Sequence, residues 1–380
     1  MATEKTYLDY YGQHGIIPVR QDTGNLSLHL ARRRSLYRHL GLQPFAFRNR
    51  RVLEFGPGTG DNALFVASCL PVSYVLVDGN TASFEAIKQK LERGLLPNDR
   101  VECHQSEILA YTSATPFDVV LCEGVLPGQP DAAAFLSHIA SFVAPEGMIV
   151  ITTMSPSSLL AEACRRVLKP VFSERFSDSR RLVDELVAFF GPDLRSLRGM
   201  SRLHEDWVLD NILHPWPQRI TFSMLEAIAT LDAEFDVLGT SPSFMQDWRW
   251  YKSIPSSPET WNSIATSEYG RWAGYFLDYR FQPTLPGYPP AAELDSACLR
   301  ALQLQHRIWH NNSLDLVAEF ADTLRAIREL IEGAMPETAK SISDFLEGLE
   351  DFANGNLEAH FGTFRSWFGR GQQYLSLVRR

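Results

Sequence analysis

A glycine-rich turn between two apolar runs constrains this sequence more than any other feature. Residues 51–61 read RVLEFGPGTGD, a strand-like run followed by glycines at positions 56, 58 and 60. Glycine is needed where the backbone turns sharply or approaches a ligand, because a Cβ atom would forbid the backbone angles or block the approach. Asp78 then ends a second apolar run, YVLVD. A carboxylate at that strand end can accept hydrogen bonds from two ribose hydroxyls, so the sequence predicts a nucleotide-type pocket.

The spacing of the glycines separates two kinds of nucleotide pocket. The dinucleotide fingerprint is G-x-G-x-x-G, and the slot of its third glycine here holds Asp61. Glu54 precedes the turn, and a pyrophosphate would be repelled by a carboxylate beside it. A nicotinamide dehydrogenase is therefore disfavoured, whereas a ligand with a cationic or amino-acid end would suit the acid.

Glu54, Gly56, Gly58 and Gly60, followed by Asp78, resemble motif I and the ribose acid of the class I S-adenosylmethionine-dependent methyltransferases. The motif of that family is written E/D-x-G-x-G-x-G. The resemblance implies that S-adenosylmethionine is the cofactor and that S-adenosylhomocysteine is the product. It also implies a methyltransferase that works by in-line displacement, in which the protein aligns the acceptor and excludes water.

Short apolar runs alternate with helical patterns up to about residue 154. Strands are predicted at 52–55, 74–77, 101–104, 117–122 and 147–152, with helix-length separations that are typical of a parallel, doubly wound α/β sheet. The resemblance implies a Rossmann-like sheet of seven strands that ends in an antiparallel hairpin. EFDVLG at 234–239 and QYLSLV at 373–378 are then the sixth and seventh strands.

Two long insertions follow from this assignment and would form a second, smaller and largely helical domain. The expected division is an N-terminal helical cap (1–50), a cofactor-binding core (51–154), a helical insertion or lid (155–220), a core helix and sixth strand (221–240), an aromatic-rich cover (241–365) and a seventh strand (366–380).

The resemblance also assigns contacts to the cofactor. The backbone amides of Gly79 and Asn80 are expected beside the adenine, and Glu123 along the methionine portion. The adenine amino group has three open candidates, Gln105, Ser106 and Glu107, because Ser106 stands where the family most often has Asp. The complete expected set is Glu54, Gly56, Pro57, Gly58, Gly60, Asn62, Asp78, Gly79, Asn80, Gln105, Ser106, Glu107, Glu123 and Gly124.

The acceptor side is less constrained by the sequence. His204 and His214 lie near acids or aromatics in the first insertion and are candidates for a general base, with surface or packing roles as alternatives. Their spacing matches no recognised metal site, so no metal is predicted. The aromatic residues of 247–252, with Trp261, Trp272, Tyr275 and Tyr279, could stack on sugars or fill a small core. Residues 10–15 could cap the cofactor.

Composition narrows the class of partner. The net charge of −9 disfavours a nucleic-acid surface, which needs clustered excess cations. The basic runs at 32–34, 165–166 and 180–181 are expected on solvated helix faces. No membrane span, secretory signal or C-x-x-C pair is found among the sequence patterns, which favours a cytoplasmic protein. We therefore expect a small-molecule or glycan acceptor, methylated on oxygen or nitrogen. A protein or nucleic-acid methyltransferase and a non-catalytic binding protein are the alternatives, and the oligomeric state stays open.

Overall fold

The computed structural model describes residues 21, 23–354, 356 and 358–380. The segment at residues 10–15, expected to cap the cofactor, lies outside this range, as does the first part of the expected N-terminal cap. The chain divides into two compact units. The first comprises the described residues up to Thr153 with Phe222–Thr266 and Gln373–Arg380, and the second comprises Met154–Thr221 and Ser267–Gln372.

A seven-stranded sheet forms the centre of the first unit. Its strands are β1 (Arg51–Phe55), β2 (Ser73–Asp78), β3 (Val101–Gln105), β4 (Phe117–Cys122), β5 (Val143–Thr153), β6 (Phe235–Ser241) and β7 (Gln373–Arg379). The strand order is β3-β2-β1-β4-β5-β7-β6. β1 to β5 are parallel, and β7 runs antiparallel to both β5 and β6. The predicted doubly wound sheet with a terminal antiparallel hairpin is confirmed.

The α-helices of the described residues are as follows. They are α1 (Leu26–His39), α2 (Ala63–Ser68), α3 (Thr81–Glu92), α4 (Ala132–Ala140), α5 (Leu160–Val167), α6 (Lys169–Arg175), α7 (Ser179–Ser196), α8 (His204–Val208), α9 (Met224–Leu231), α10 (Trp261–Trp272), α11 (Ala291–Asn311), α12 (Val317–Ile331) and α13 (Pro336–Ala353).

Strand β5 begins four residues before the predicted start at Gly147. Its first residues read VAPE, which interrupts the apolar alternation and so reads as a loop. In the structure, Val143 pairs with Phe117 across an irregularity in the register. Pairing with β4 therefore extends the strand where the local sequence does not favour one.

Burial of the apolar strand positions explains the core of the first unit. Val52, Leu76 and Val119 are completely buried on neighbouring strands and pack with Tyr37 and Phe65 of the covering helices. Strands buried in this way read as continuous apolar runs because helices cover them. Such a sheet holds the carboxyl ends of β1, β2 and β4 at one edge, where ligands bind in open α/β folds.

Residues 241–266 lie in the first unit, whereas we expected them in the second insertion. Part of the reason is Asn262 at the start of α10. Its Oδ1 accepts the backbone N–H of Val237, and its Nδ2 donates to the carbonyl of Phe235 and to the Asp232 carboxylate. These bonds join the start of α10 to strand β6.

The second unit is largely helical and has its own apolar core, which includes Phe172, Phe190, Phe320, Phe345 and Trp367. The expectation that Arg165 and Arg166 lie on a solvated face is wrong, since both are fully buried. Arg165 forms an ion pair with Asp193, while Arg166 donates to the carbonyls of Asn211 and His214. Each guanidinium has partners that compensate for the loss of water.

Candidate functional site

The glycine turn after β1 has the backbone geometry that its sequence predicts. Gly56, Gly58 and Gly60 have φ values of +67°, +58° and +74°, a region that residues with a Cβ rarely adopt. A Cβ atom at Gly56 would collide with the side chain of Val125, and one at Gly60 would lie 3.0 Å from Ile87. The turn closes with a 3.0 Å bond from the Gly60 N–H to the Pro57 carbonyl. Glycine is therefore required at positions 56 and 60, both by the backbone dihedral angle and by the lack of space for a Cβ atom.

Asp78 lies at the end of β2 and faces this turn. Its Oδ2 accepts the N–H of Gly58 at 3.1 Å, and its Oδ1 accepts the N–H of Asn80 at 2.8 Å. The side chain is buried, and burial raises its pKa to about 6 although the two N–H groups act in the opposite direction. Each carboxylate oxygen keeps a lone pair, which is what hydrogen bonding to two ribose hydroxyls requires.

Asp61, which occupies the slot of the missing third glycine, holds the turn in place. Its carboxylate accepts the hydroxyl of Thr59 at 2.6 Å and pairs with Lys90 of α3 at 3.0 Å. The carbonyl of Asp61 lies 3.0 Å from Nε2 of His29 in α1. Asn62 follows as the residue before α2, and its side chain makes no capping bond. Asp61, the residue whose position disfavours a dinucleotide site, therefore links the glycine turn to helices α1 and α3.

The candidates near the expected adenine position differ in exposure. Asn80 caps α3 by accepting the N–H groups of Ala82 and Ser83. The exposed amide of Gln105 donates to the hydroxyl of Thr81, and Ser106 donates its backbone N–H to the carbonyl of Asp78. Glu107 is exposed. The structure brings the β2 and β3 ends together but does not single out one adenine partner.

A buried cluster of charged and phenolic groups lies beside the first position of the motif. Arg33 of α1 pairs with Glu123 at 2.7 Å, and the side chains of the two residues are only 8% and 7% exposed. Tyr37 donates to the same carboxylate at 2.7 Å, and Tyr74 of β2 donates to Glu54. The Nε of Arg33 is buried and has no hydrogen-bond partner among the residues that the structure describes.

This cluster carries two carboxyl groups against one guanidinium. Burial, followed by repulsion from Glu123, raises the pKa of Glu54 to about 7. A cationic or zwitterionic ligand near these groups would relieve the repulsion and lower that pKa. The orphaned Nε of Arg33 offers a donor for an anionic group such as a carboxylate. The donor set is therefore suited to the amino-acid portion of S-adenosylmethionine.

The remaining expected site residues have other partners or belong to the second unit. Gly124 has φ +79° and donates its N–H to the Thr152 hydroxyl at 2.7 Å. His204 starts α8 and is half-buried. His214 is buried, and its carbonyl accepts Nη2 of Arg166. The site described above consists of first-unit residues, so the roles of both histidines stay predictions.

Arg33, Tyr37 and Tyr74 are residues that the sequence analysis missed. We expected residues 32–34 on a solvated face, which is wrong for Arg33 because it is 6% exposed. The signal was the spacing in α1, where His29, Arg33 and Tyr37 are the three buried positions and recur every four residues. An arginine in phase with buried positions must have a buried partner, and here the partner is Glu123.

Comparison with known proteins agrees with this geometry. Residues 29–195 match a family model described as a methyltransferase domain. The mitochondrial ubiquinone biosynthesis O-methyltransferase of Schizosaccharomyces pombe is 28% identical over 176 residues, which cover 43% of this chain and 63% of that protein. The ubiquinone biosynthesis O-methyltransferase of Neisseria meningitidis serogroup C is 30% identical over 115 residues, or 30% and 48% of the two chains. The chain thus spans about half to just under two thirds of the curated relatives it matches.

Among solved structures, PKMT2 from Rickettsia typhi in complex with AdoHcy is similar over 63% of this chain and 49% of that chain, with 18% identity and a TM-score of 0.44. The family match covers residues 29–39 of α1, the glycine turn, Asp78 and Glu123, which belong to the candidate site described above. Residues 29–195 thus form a methyltransferase domain of the class I S-adenosylmethionine-dependent kind, for which the cofactor is S-adenosylmethionine.

Proposed function

We propose that this chain transfers a methyl group from S-adenosylmethionine to an oxygen atom of a small-molecule acceptor. One observation carries the cofactor half of the proposal. The left-handed glycine turn brings a backbone N–H to Asp78 at the carboxyl end of β2, and each Asp78 oxygen keeps a free lone pair. That arrangement suits a ribose beside a closely approaching backbone.

In this proposal, different side chains bind different parts of the cofactor. Asp78 holds the ribose, and one of Gln105, Ser106 and Glu107 accepts from the adenine. Glu54, Glu123 and Arg33 hold the amino-acid end. When bound, S-adenosylmethionine supplies a methyl group on a cationic sulfonium, so the chain has only to bind, orient the acceptor and exclude water.

The nature of the acceptor rests on the relatives. Two of the proteins that this chain resembles are named as O-methyltransferases of ubiquinone biosynthesis, which supports a hydroxyl on a small molecule. A glycan hydroxyl and an amine are the alternatives within the same chemistry. A neutral hydroxyl needs a general base, for which His204 and His214 are the proposed candidates. We propose no metal for the reaction.

Calorimetry with S-adenosylhomocysteine tests the cofactor half of the proposal. We expect saturable binding to the folded chain, and a well-folded sample without binding would refute it. Transfer of a labelled methyl group to a panel of small hydroxyl compounds, sugars and primary amines then tests the acceptor half. Methylation of the small hydroxyl compounds is expected. Binding without transfer to any of the three classes would favour a non-catalytic role, and a salt-sensitive complex with tRNA would favour a nucleic-acid substrate.

A further inference from the structure

The exposed tryptophans of this chain are clustered in one short segment. Of its eight tryptophans, Trp248, Trp250 and Trp261 are exposed, and the other five are buried or partly buried. Trp248 is 89% exposed, Trp250 63%, and the neighbouring Tyr251 64%. Large aromatic side chains in such numbers at one surface point mark an interaction site rather than ordinary surface composition.

The segment, called here the aromatic loop (residues 247–259), is ordered by its charged residues. Arg249 forms a bidentate contact with Asp247, from Nε to Oδ1 and from Nη2 to Oδ2, and donates to the carbonyl of Glu259, which closes the loop. The guanidinium also lies 5.2 Å from the ring centroid of Trp261. The side chains of Arg249 and Asp247 are only 12% and 18% exposed. The charged pair is therefore engaged within the loop, whereas Trp248 and Trp250 are exposed to solvent.

The chemistry of the aromatic loop narrows the partner. Its four formal charges, on Asp247, Arg249, Lys252 and Glu259, sum to zero, so it lacks the excess of cations that nucleic acid requires. The rings of Trp250 and Tyr251 are 4.8 Å apart and inclined by 54°, so they do not form one flat platform for a sugar. Their amphipathic rings match the headgroup level of a bilayer, where Trp and Tyr concentrate.

Lys252 supports the same partner. Its ammonium lies 5.8 Å from the ring centroids of both Trp250 and Tyr251. A long cationic side chain above aromatic rings can keep its charge at the phosphate layer while the rings enter the interface. The neutral loop fits zwitterionic lipids, because a chain with a net charge of −9 is repelled by an anionic surface.

We propose that the aromatic loop docks this chain onto the headgroup layer of a zwitterionic phospholipid bilayer through Trp248, Trp250 and Tyr251. Among the described residues, no helix combines the length and the hydropathy of a membrane span. The inference does not depend on the proposed catalytic function, since no residue of the cofactor site belongs to the loop.

Co-sedimentation of the full chain with phosphatidylcholine vesicles tests the docking. We expect the wild-type chain to partition onto vesicles and the triple variant W248S/W250S/Y251S to lose at least about tenfold in the partition coefficient. The matched control is F45S/V72S/L109S, which removes three other exposed apolar side chains and should bind as the wild type does. Arg249→Ala, which opens the loop, should weaken binding although it removes no aromatic residue.

Two further measurements keep the result unambiguous. The triple variant should keep the wild-type melting temperature and its affinity for S-adenosylhomocysteine, which separates loss of docking from loss of folding. Tryptophan emission of the wild type should be quenched by lipids brominated near the headgroup, with little dependence on salt. Absence of wild-type binding, or equal binding of the triple variant, would overturn the proposal. So would a wild-type chain that does not bind vesicles but forms a dimer, where the triple variant is a monomer.

Discussion

Replacement of Asp78 should separate the binding role of its carboxylate from its structural role. The two carboxylate oxygens of Asp78 accept the N–H groups of Gly58 and Asn80. Asp78→Ala removes both acceptors and both proposed ribose contacts. A hydrogen bond to a charged group contributes about 1.5 kcal/mol or more, so the loss of two ribose contacts should cost about 3 kcal/mol, or roughly 150-fold in affinity.

Asp78→Asn keeps one acceptor oxygen and should weaken binding by roughly tenfold. Unfolding in urea should show a smaller loss of stability for Asn than for Ala, since only one backbone N–H then loses its acceptor. The exposed Asp99, which pairs with Arg100 on the surface, provides a control, and its change to Ala should alter neither property appreciably. Calorimetry with S-adenosylhomocysteine measures the affinities. An Asp78→Ala variant that binds like the wild type would refute the assignment.

The pH dependence of the same residue gives an independent check. Because the ribose contacts need the ionised carboxyl and burial raises the pKa of Asp78 to about 6, affinity should fall about tenfold per pH unit below pH 6. The effect on folding has the opposite sign. A carboxyl with a raised folded-state pKa binds its proton more tightly when folded, so its own contribution to stability grows as pH falls from about 6 to 4. Asp78→Asn should remove the part of both trends that comes from this carboxyl, and a wild-type affinity that is constant between pH 5 and 7 would contradict them.

The glycine turn and the buried ion pair give two further predictions. Gly56→Ala combines a left-handed backbone with a clash against Val125, whereas Gly94→Ala has a similar φ of +69° and open space. Gly94→Ala should lower the free energy of unfolding by about 1 kcal/mol and leave binding of S-adenosylhomocysteine intact. Gly56→Ala should lower it further and abolish that binding. Equal effects of the two variants on thermal melting and on calorimetric binding would argue against the clash. Glu123→Gln leaves the Arg33 charge buried without its partner and should destabilise the chain by about 3 kcal/mol in urea, while Arg33→Met combined with it should recover part of that loss. A double variant less stable than Glu123→Gln alone would show that the pair is not the cause.

Local patterns predict the sheet well, because each strand is an apolar run that is buried by its neighbours. The glycine turn and Asp78 are also predictable from the sequence, because only glycine readily adopts those backbone angles and because the acid ends an apolar run. What local patterns could not predict depends on distant partners. Strand β5 extends through a polar stretch because β4 pairs with it, and residues 241–266 join the first unit partly through Asn262.

The charges around the glycine motif also depend on residues that are distant in the sequence, and local patterns do not predict them. Glu54 could be read as an acid that favours a cationic ligand, but no local pattern indicates that burial and the nearby Glu123 together raise its pKa to about 7. Two carboxyl groups and one arginine in a buried site cannot all be satisfied by each other, so the free protein retains a proton or excess negative charge there. A ligand that brings both an ammonium and a carboxylate could complement Glu54 and the orphaned Nε of Arg33 together. Buffers of different ionisation enthalpy should therefore reveal proton release on binding of S-adenosylhomocysteine near pH 7, and Glu54→Gln should remove most of that release.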